Sequence, residues 1–191
     1  MNVEGFFSSS ILFSDLVDEK LDDVQKEIRK SLKDIKHTGL GNPWSENLNT
    51  TLDGKRNNII LSENWSNLIS YISQANKTFC DFYSFDYELF IKESWVNFYD
   101  KGDYRGAHSH PGSVLSGVYF YQTNGEDGDL VFQNPNPLAI ARATPFTSPF
   151  VIYKPKVGRL VLFDSTMIHW VNSNFTFDTR ITVNFNIGVK R

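Results

Sequence analysis

Two histidines open the stretch His108-Ser-His110-Pro-Gly-Ser-Val-Leu-Ser-Gly-Val-Tyr-Phe-Tyr121, which continues as an apolar segment. Alternate residues of an extended segment point to the same side, so His108 and His110 can reach one metal ion. Neutral imidazole is the commonest protein ligand for iron, copper and zinc. A third histidine, His169, comes from a distant segment, and Arg180 follows it. The spacing predicts a metal site of His108, His110 and His169, with a guanidinium nearby that suits a carboxylate.

The last predicted strand supports the same site. Residues 180–187 alternate polar and apolar side chains, which is typical of a strand with one packed face. The polar side chains on one face are Arg180, Thr182, Asn184 and Asn186. Residues 172–179 are rich in turn formers, so we expect a hairpin with the strand at 168–171, in which His169 lies opposite Arg180 to Thr182. A polar face beside a histidine is costly to bury unless it lines a site.

Length, charge and cysteine content limit the function classes. The chain has 191 residues, a formal net charge of −3 and one cysteine, Cys80. The length predicts one domain, and the missing basic stripe argues against nucleic-acid binding. One cysteine excludes a disulfide framework and fits a reducing compartment. The apolar stretch at 11–13 is too short for a signal sequence or a membrane span, so we expect a soluble cytoplasmic protein.

Two amphipathic helices are predicted before the strands. Residues 14–37 have an apolar stripe at helical spacing, with Ser14 or Asp15 as the cap and Gly39 as the stop. A loop is expected over 39–58, and the second stripe follows it. The stripes consist of Val17, Leu21, Val24, Ile28, Leu32 and Ile35, and of Trp65, Leu68, Ile69, Ile72, Ala75 and Phe79. We expect residues 1–87 to form a helical extension that packs on a core of residues 88–191, within one compact domain.

The second half of the chain is predicted to be a β-sheet structure. Short strands separated by Gly and Pro turns are expected at 88–99, 114–122, 129–133, 149–153, 159–164, 167–171 and 180–188. Many short strands with helices at one end predict a mostly β jelly roll with flanking α-helices. The irregular segment 133–149, which contains Arg142, is typical of a lid over a site.

Other titratable residues fit the site less well. His37 lies near a predicted helix C-terminus, where a cation is favoured without any ligand role. Asp103 and Asp164 are carboxylates in the same half of the chain, but neither has the spacing of a ligand to the histidine site.

Three segments together resemble a known enzyme family. They are Trp95-Val-Asn-Phe-Tyr-Asp-Lys-Gly-Asp-Tyr-Arg-Gly-Ala-His-Ser-His110 with its continuation to Tyr121, Gly128-Asp-Leu-Val-Phe132, and Gly158-Arg-Leu-Val-Leu-Phe-Asp-Ser-Thr-Met-Ile-His169 with Arg180-Ile-Thr182. They are similar to the iron(II)/2-oxoglutarate-dependent dioxygenases. In particular they resemble uncharacterised oxygenases that share the phrase His-Pro-x-Ser-x-Leu-Ser-Gly-Val-Tyr. The resemblance covers about residues 93–188, and nothing comparable covers residues 1–85.

The resemblance implies a fold, a reaction and roles for individual residues. The fold is a double-stranded β-helix, and the reaction is the hydroxylation of a substrate with Fe(II), 2-oxoglutarate as co-substrate and O2. The family pattern gives Fe(II) to His108, the residue two positions on, and His169. It gives the distal carboxylate of 2-oxoglutarate to Arg180, helped by Thr182. Tyr99 matches a tyrosine that contacts the co-substrate, and Tyr119 is a second candidate.

One position departs from the family pattern and leaves alternatives open. The usual second ligand is Asp or Glu, and this chain has His110. Three neutral imidazoles leave more positive charge on the metal and also suit zinc or copper. A three-histidine dioxygenase that does not use 2-oxoglutarate, or a non-catalytic metal-binding jelly roll, is therefore an alternative. The substrate, a small molecule or a protein side chain, is not specified by the sequence, which is also compatible with a homodimer.

Overall fold

The computed structural model describes residues 9–33, 35, 48–52, 58–136, 138, 141 and 148–190. In chain order the elements are β1 (Ile11–Asp15), α1 (Asp18–Leu32), β2 (Asn49–Thr50), α2 (Ile59–Ser62), α3 (Ser66–Tyr83), β3 (Leu89–Tyr99), β4 (Arg105–His108), β5 (Leu115–Gln122), β6 (Leu130–Gln133), β7 (Phe150–Tyr153), β8 (Arg159–Asp164), β9 (His169–Val171) and β10 (Arg180–Val189). The predicted strands from residue 88 onward are present, with ends that differ by two residues at most.

The strands form two antiparallel sheets. One sheet has six strands in the order β1-β8-β5-β10-β3-β2, and the other has four in the order β4-β9-β6-β7. An apolar cluster that includes Phe120, Phe132 and Phe163 fills the space between the sheets. The predicted fold, a jelly roll or double-stranded β-helix with N-terminal helices packed on it, is confirmed.

The helices cover the outer face of the six-stranded sheet. The alternate residues Val183, Phe185 and Ile187 of β10 join Ile28, Leu68 and other helix residues in one buried cluster. Gly117 on β5 pairs with Phe185, whose ring atom Cζ would lie 2.1 Å from any Cβ at position 117. The glycine of the Leu-Ser-Gly-Val-Tyr phrase therefore makes room for a core aromatic ring.

The first helix is shorter than predicted, because its expected first turn is part of a strand. Ser14 and Asp15 belong to β1, which pairs with β8 at the edge of the large sheet. The Asp15 carboxylate is bound by Arg159 and Lys156, so it does not cap the helix. Helix α1 begins at Asp18 and has no side-chain cap, whereas Val24 and Ile28 of its stripe are buried as predicted.

The second helix follows its predicted stripe. Leu68, Ile72, Ala75 and Phe79 are buried on α3. Glu27 on α1 accepts hydrogen bonds from the backbone N–H groups of Asn67 (3.0 Å) and Leu68 (2.7 Å). Those N–H groups lie in the first turn of α3 and have no partner inside it, so Glu27 both satisfies them and fixes the two helices together.

The predicted hairpin between β9 and β10 is wrong. Strand β9 pairs with β4 and β6 in the four-stranded sheet, whereas β10 pairs with β3 and β5 in the six-stranded sheet. The connection between them crosses from one sheet to the other. It is held by the buried Asn174, whose amide donates to the carbonyls of Tyr99 (2.9 Å) and Asp178 (2.7 Å). His169 and Arg180 therefore come from facing sheets.

Three strands were not predicted. Strands β1 and β2 extend the large sheet from within residues 1–87, and β4 lies between β3 and β5 in the chain. The segment proposed as a purely helical extension thus also contributes strands, and its boundary with the core remains a prediction. None of the helices in the described part of the chain is long and apolar enough to span a membrane.

Candidate functional site

The three predicted metal ligands come together at one place. His108 ends β4, His110 follows in the next loop, and His169 begins β9 directly opposite His108 in the sheet register. One ligand nitrogen from each ring lies within 4.8 Å of those from the other two. The ring centroids are 4.3 Å apart for His108 and His169, and 5.0 Å apart for His108 and His110. This spacing lets three imidazoles bind a single ion.

Backbone carbonyls orient two of the rings. Nδ1 of His108 lies 2.7 Å from the Gly106 carbonyl oxygen, and Nδ1 of His169 lies 2.9 Å from that of Met167. A carbonyl oxygen only accepts, so each Nδ1 carries the proton and donates it. Nε2 of each ring is then left with a free lone pair, as a metal ligand needs.

Burial keeps the rings in the ligand form. It lowers the pKa of His108 and His110 to about 4 and that of His169 to about 3. The positive charge of the neighbouring Arg105 also lowers the pKa of all three imidazoles. At neutral pH the rings are uncharged, so no proton has to leave before a metal binds.

Arg180 is fully buried and only partly satisfied. Its Nη1 donates to the carbonyl oxygens of Asp127, at 2.9 Å, and Gly128. Its Nε and Nη2 are buried and have no partner among the described residues. Burial lowers the pKa of this guanidinium. An unpaired buried donor costs about 1–3 kcal/mol, so two such donors on one side chain indicate that a ligand pairs with them.

The turn before β6 fixes one edge of the guanidinium. Asp127 is itself buried, and its carboxylate accepts from the Thr123 hydroxyl (2.6 Å) and the Asn124 N–H (3.0 Å). Gly128 has φ of +106°, and a Cβ there would lie 2.2 Å from the Asn172 carbonyl oxygen and 2.9 Å from Nη1 of Arg180. Only glycine fits this position, which holds Nη1 and leaves the rest of the guanidinium free.

Tyr99 and Thr182, the other two predicted co-substrate residues, both lie near Arg180, and of the two Tyr99 lines the histidine cavity. Tyr99 is paired with Arg180 across β3 and β10, and the Arg180 Cζ atom lies 4.0 Å from the centre of its ring. Burial raises the pKa of Tyr99, and its phenol oxygen accepts from the Asn97 amide at 3.3 Å. Thr182 is buried on the same face of β10 as Arg180, and its hydroxyl accepts from the Asn184 amide at 3.1 Å.

Tyr119 lies elsewhere, which corrects its prediction as a second co-substrate tyrosine. Its side chain belongs to the cluster under the helices, on the opposite face of the large sheet. Burial raises its pKa, and its phenol oxygen is buried with no hydrogen-bond partner among the described residues. The reason is the period of a strand: Val118 and Phe120 face the space between the sheets, so Tyr119 between them faces outward.

The histidines line a cavity of about 160 Å³ between the two sheets. Its wall is mainly polar along β3 and β10, with Trp95, Asn97 and Tyr99 from the first and Asn184 and Asn186 from the second. The alternation of β10 therefore places amides and Arg180 on the inner face, as the sequence predicted.

Arg105 also lines this cavity and was missed by the sequence analysis. It lies three residues before His108, and in a regular strand residues three apart point to opposite sides. Strand β4 is irregular between these residues: Arg105 pairs with Val171 and His108 with His169, so three steps on β4 match two on β9. This bulge turns Arg105 to the same side as His108.

The remaining candidates lie outside the site. Asp103 and Asp164 are absent from the cavity lining and from the group of potential metal ligands that the described residues form. Their carboxylates accept instead from the Asp100 N–H and from Thr166. His37, Arg142 and most of the proposed lid 133–149 fall outside the described residues.

The residues present fit an iron ion and 2-oxoglutarate. Three neutral imidazoles with converging nitrogens are a donor set for a divalent transition metal. The unpaired Nε and Nη2 of Arg180 are a fork for a carboxylate. The histidines line the cavity, and Arg180 lies behind Tyr99 of the cavity wall, with its Cζ atom 4.0 Å from the centre of that ring. A dicarboxylate that chelates a metal at one end needs both features.

Comparisons with known proteins point to one family. A family model described as "Putative 2OG-Fe(II) oxygenase" matches residues 93–186, about half of the chain. The curated proteins contain no match to this sequence.

Solved structures share the fold at low sequence identity. SnoN, a non-heme alpha ketoglutarate dependent epimerase from nogalamycin biosynthesis, is 13% identical with a TM-score of 0.69, and the match covers 94% of this chain and 76% of SnoN. A prolyl-4-hydroxylase from Pseudomonas putida is 13% identical with a TM-score of 0.63, over 96% of this chain and 94% of the hydroxylase. A 2OG-Fe(II) oxygenase family oxidoreductase from Burkholderia pseudomallei is 18% identical with a TM-score of 0.46. That match covers 59% of this chain and 49% of the oxidoreductase, so the chain spans about half of its length.

Proposed function

Because residues 93–186 belong to the 2OG-Fe(II) oxygenase family, we propose that this enzyme hydroxylates its substrate at an iron centre held by His108, His110 and His169. It consumes 2-oxoglutarate and O2, and Arg180 binds the distal carboxylate of 2-oxoglutarate with Thr182 and Tyr99 beside it. The match to the oxygenase family model over residues 93–186 supports an oxygenase activity. The ligand set, the co-substrate residues and the hydroxylation are our proposal.

The observation that carries the proposal is the state of Arg180. A structural metal site has no use for a buried guanidinium with two unpaired nitrogens, Nε and Nη2, on the facing sheet. A dicarboxylate co-substrate does, because a bidentate guanidinium–carboxylate pair would satisfy both nitrogens at once.

The protein residues contribute binding, orientation and exclusion of water. When bound, iron and 2-oxoglutarate supply the activation of O2 and the oxidation of a C–H bond. His108 and His169 are held by the Gly106 and Met167 carbonyls, so their free nitrogens are oriented before a metal arrives. Arg180 and the phenol of Tyr99 fix the far end of the co-substrate. The buried walls keep water away from the reacting centre.

A three-histidine dioxygenase that does not use 2-oxoglutarate is the second candidate. The observation in its favour is His110 at the position where the family pattern has a carboxylate. This candidate leaves the two unpaired nitrogens of Arg180 without a role, and the first does not. Titration with 2-oxoglutarate separates the two, since only the first requires binding.

The test starts with metal and co-substrate binding. We expect one iron per chain by elemental analysis of protein loaded anaerobically, and saturable binding of 2-oxoglutarate by calorimetry to the manganese(II)-loaded protein. His169→Ala removes one of three ligands, so its metal content should fall sharply while circular dichroism shows a folded domain.

A matched control is Asn172→Ala. This residue directly follows β9, is exposed and is not a proposed ligand. Unchanged metal content in His169→Ala would remove this histidine from the site. A metal-loaded wild type that binds no 2-oxoglutarate would favour the three-histidine dioxygenase or a binding module.

We also infer a cytoplasmic location for this protein. Cys80 is free, which supports a reducing, cytoplasmic compartment. A homodimer is compatible with the proposal, and light scattering of the purified protein would establish the number of chains. The substrate is a small molecule or a protein side chain that reaches the histidine cavity.

A further inference from the structure

Arg105 is a cation in the histidine cavity for which the described residues provide no carboxylate. It is partly buried and lines the cavity together with the three histidines and Tyr99. Burial lowers the pKa of its guanidinium, and no carboxylate among the described residues offsets that shift. A partly buried guanidinium that lacks an anion is costly to keep unless a ligand supplies one.

The only acidic residue in the described cavity wall is too far away to serve. That residue is Glu93, which accepts from the Asn186 amide at 2.7 Å. Glu93 pairs with Asn186 and Tyr99 pairs with Arg180, so they lie six residues apart on β3. At about 3.3 Å per residue this is about 20 Å along the strand. Arg105 pairs with Val171, and the carbonyl oxygen of the next residue, Asn172, lies against Gly128 beside Nη1 of Arg180, so Arg105 lies toward the Arg180 end of the cavity.

Within that end, Arg105 lies on the side of the histidines. It is on the same strand as His108, and the bulge in β4 turns both toward the cavity. Arg105 lines the same cavity as the three histidines and Tyr99, and Tyr99 in turn lies against Arg180. Arg105 thus lies beside the path that connects the histidines with Arg180.

We propose that Arg105 is a second cationic contact for 2-oxoglutarate, binding the carboxylate at the end of the molecule that faces the histidines. This inference rests on the proposed function. A dicarboxylate has two anionic ends, and one arginine would serve each: Arg105 in the cavity wall, from the small sheet, and Arg180 from the large sheet, which lies against the cavity residue Tyr99. The usual carboxylate ligand is replaced by the neutral His110, so no ligand carboxylate competes with the co-substrate carboxylate for Arg105.

Calorimetry with two ligands tests the assignment. 2-Oxoglutarate and pyruvate share the 2-oxo acid end, and pyruvate lacks the distal carboxylate. Both are titrated anaerobically into manganese(II)-loaded wild type, Arg105→Gln and Arg180→Ala. We expect Arg105→Gln to weaken binding of both ligands about tenfold, equivalent to about 1.4 kcal/mol. Arg180→Ala should weaken 2-oxoglutarate binding and leave pyruvate binding unchanged.

Controls separate this role from a structural one. Arg29→Gln makes the same substitution at an exposed site on α1 and should change neither affinity. Arg105→Lys keeps the charge and should recover part of the affinity, because an ammonium cannot reproduce the guanidinium fork. Manganese content and the thermal midpoint of each variant confirm that fold and metal site are intact.

The outcomes are distinct. Equal affinities of wild type and Arg105→Gln for 2-oxoglutarate would overturn the inference and leave the proposed function standing. Weakened binding of 2-oxoglutarate with unchanged binding of pyruvate would overturn the assignment to the histidine end. Failure of the metal-loaded wild type to bind 2-oxoglutarate at all would instead count against the proposed function.

Discussion

At the scale of single residues, the contacts of Arg180 determine which of its nitrogens are available to a ligand. Nη1 is used by the Asp127 and Gly128 carbonyls, and the aromatic face of Tyr99 lies against the guanidinium. These contacts fix the plane of the side chain without neutralising it. Two buried nitrogens have no partner within the described part of the chain, which prepares the side chain for a carboxylate at little further cost in side-chain entropy.

Removal of Arg180 should affect co-substrate binding and not metal binding. A charge-assisted pair of this kind contributes about 1.5–3 kcal/mol, so Arg180→Ala should weaken 2-oxoglutarate binding about ten- to a hundredfold. Arg180→Lys should recover only part of this loss, because its ammonium is a point charge. Calorimetry of the manganese form gives the affinities, and elemental analysis gives the metal content. Wild-type affinity in Arg180→Ala would refute the assignment of this residue.

His110 changes the charge of the centre more than its shape. A carboxylate ligand would contribute one negative charge, and an imidazole contributes none. With the cations Arg105 and Arg180 nearby, the site relies on its ligands to supply negative charge. This favours anionic co-substrates, and it explains why an extra arginine can be accommodated so close to a metal site.

At the scale of secondary-structure elements, β10 shows what a sequence can predict. Its strict alternation identified the inner face with Arg180 and Thr182 and the outer face that packs on the helices. Each residue of such a strand is assigned to a face by its own position, so the prediction needs no knowledge of the partner strands. The same alternation on β5 directs Val118 and Phe120 to the space between the sheets and Tyr119 to the helices, away from the histidines.

Features that depend on distant partners could not be predicted in this way. The bulge in β4 is defined by the register against β9, and it alone places Arg105 beside His108. The segment after β9 is rich in turn formers, as in a hairpin, but buried Asn174 ties it to the end of β3 and the chain crosses to the other sheet. Strand β1 was read as the start of a helix because its pairing with β8 is equally remote.

The edge strand β1 should be stabilised by the ion pairs of Asp15 with Arg159 and Lys156. Hydrogen bonds from Arg159 and Lys156 lower the pKa of Asp15 to about 2. A carboxyl whose folded pKa is lowered contributes stability above its ordinary pKa and loses it as the pH falls toward the folded value. Asp15→Asn should cost about 1 kcal/mol of unfolding free energy at pH 7. The difference should shrink between pH 4 and pH 2.

Chemical denaturation of both proteins across this pH range measures the effect. Asp22→Asn, at an exposed position on α1, is the matched control and should leave the unfolding free energy nearly unchanged. A constant difference between wild type and Asp15→Asn from pH 7 to pH 2 would show that charge is not the cause.

At the scale of the whole molecule, the two sheets contribute different parts of the site. The small sheet and the loop after β4 supply the three histidines, whereas the large sheet supplies Arg180. A metal alone would therefore contact only residues of the small sheet and the adjoining loop. A co-substrate that reaches from the metal to Arg180 would connect both, across a core that includes the aromatic rings of Phe120, Phe132 and Phe163.

This division predicts a stepwise thermal stabilisation. A ligand that binds only the folded state at a hundred times its Kd stabilises it by about 2.7 kcal/mol. For a domain of this size each kcal/mol raises Tm by about 2–4 °C, so saturating 2-oxoglutarate should add about 5–10 °C to the manganese-loaded protein. Without metal the same concentration should add little, because the proposed chelating end has no partner. In Arg180→Ala the metal increment should persist, and the 2-oxoglutarate increment should fall from about 2.7 to about 0.4–1.4 kcal/mol at the same concentration, because the ligand is then only about one to ten times above its Kd. Differential scanning calorimetry of the four combinations of metal and co-substrate measures both increments. An equal effect of 2-oxoglutarate with and without metal would mean that it binds away from the histidines, and the two sheets would then not be joined through this site.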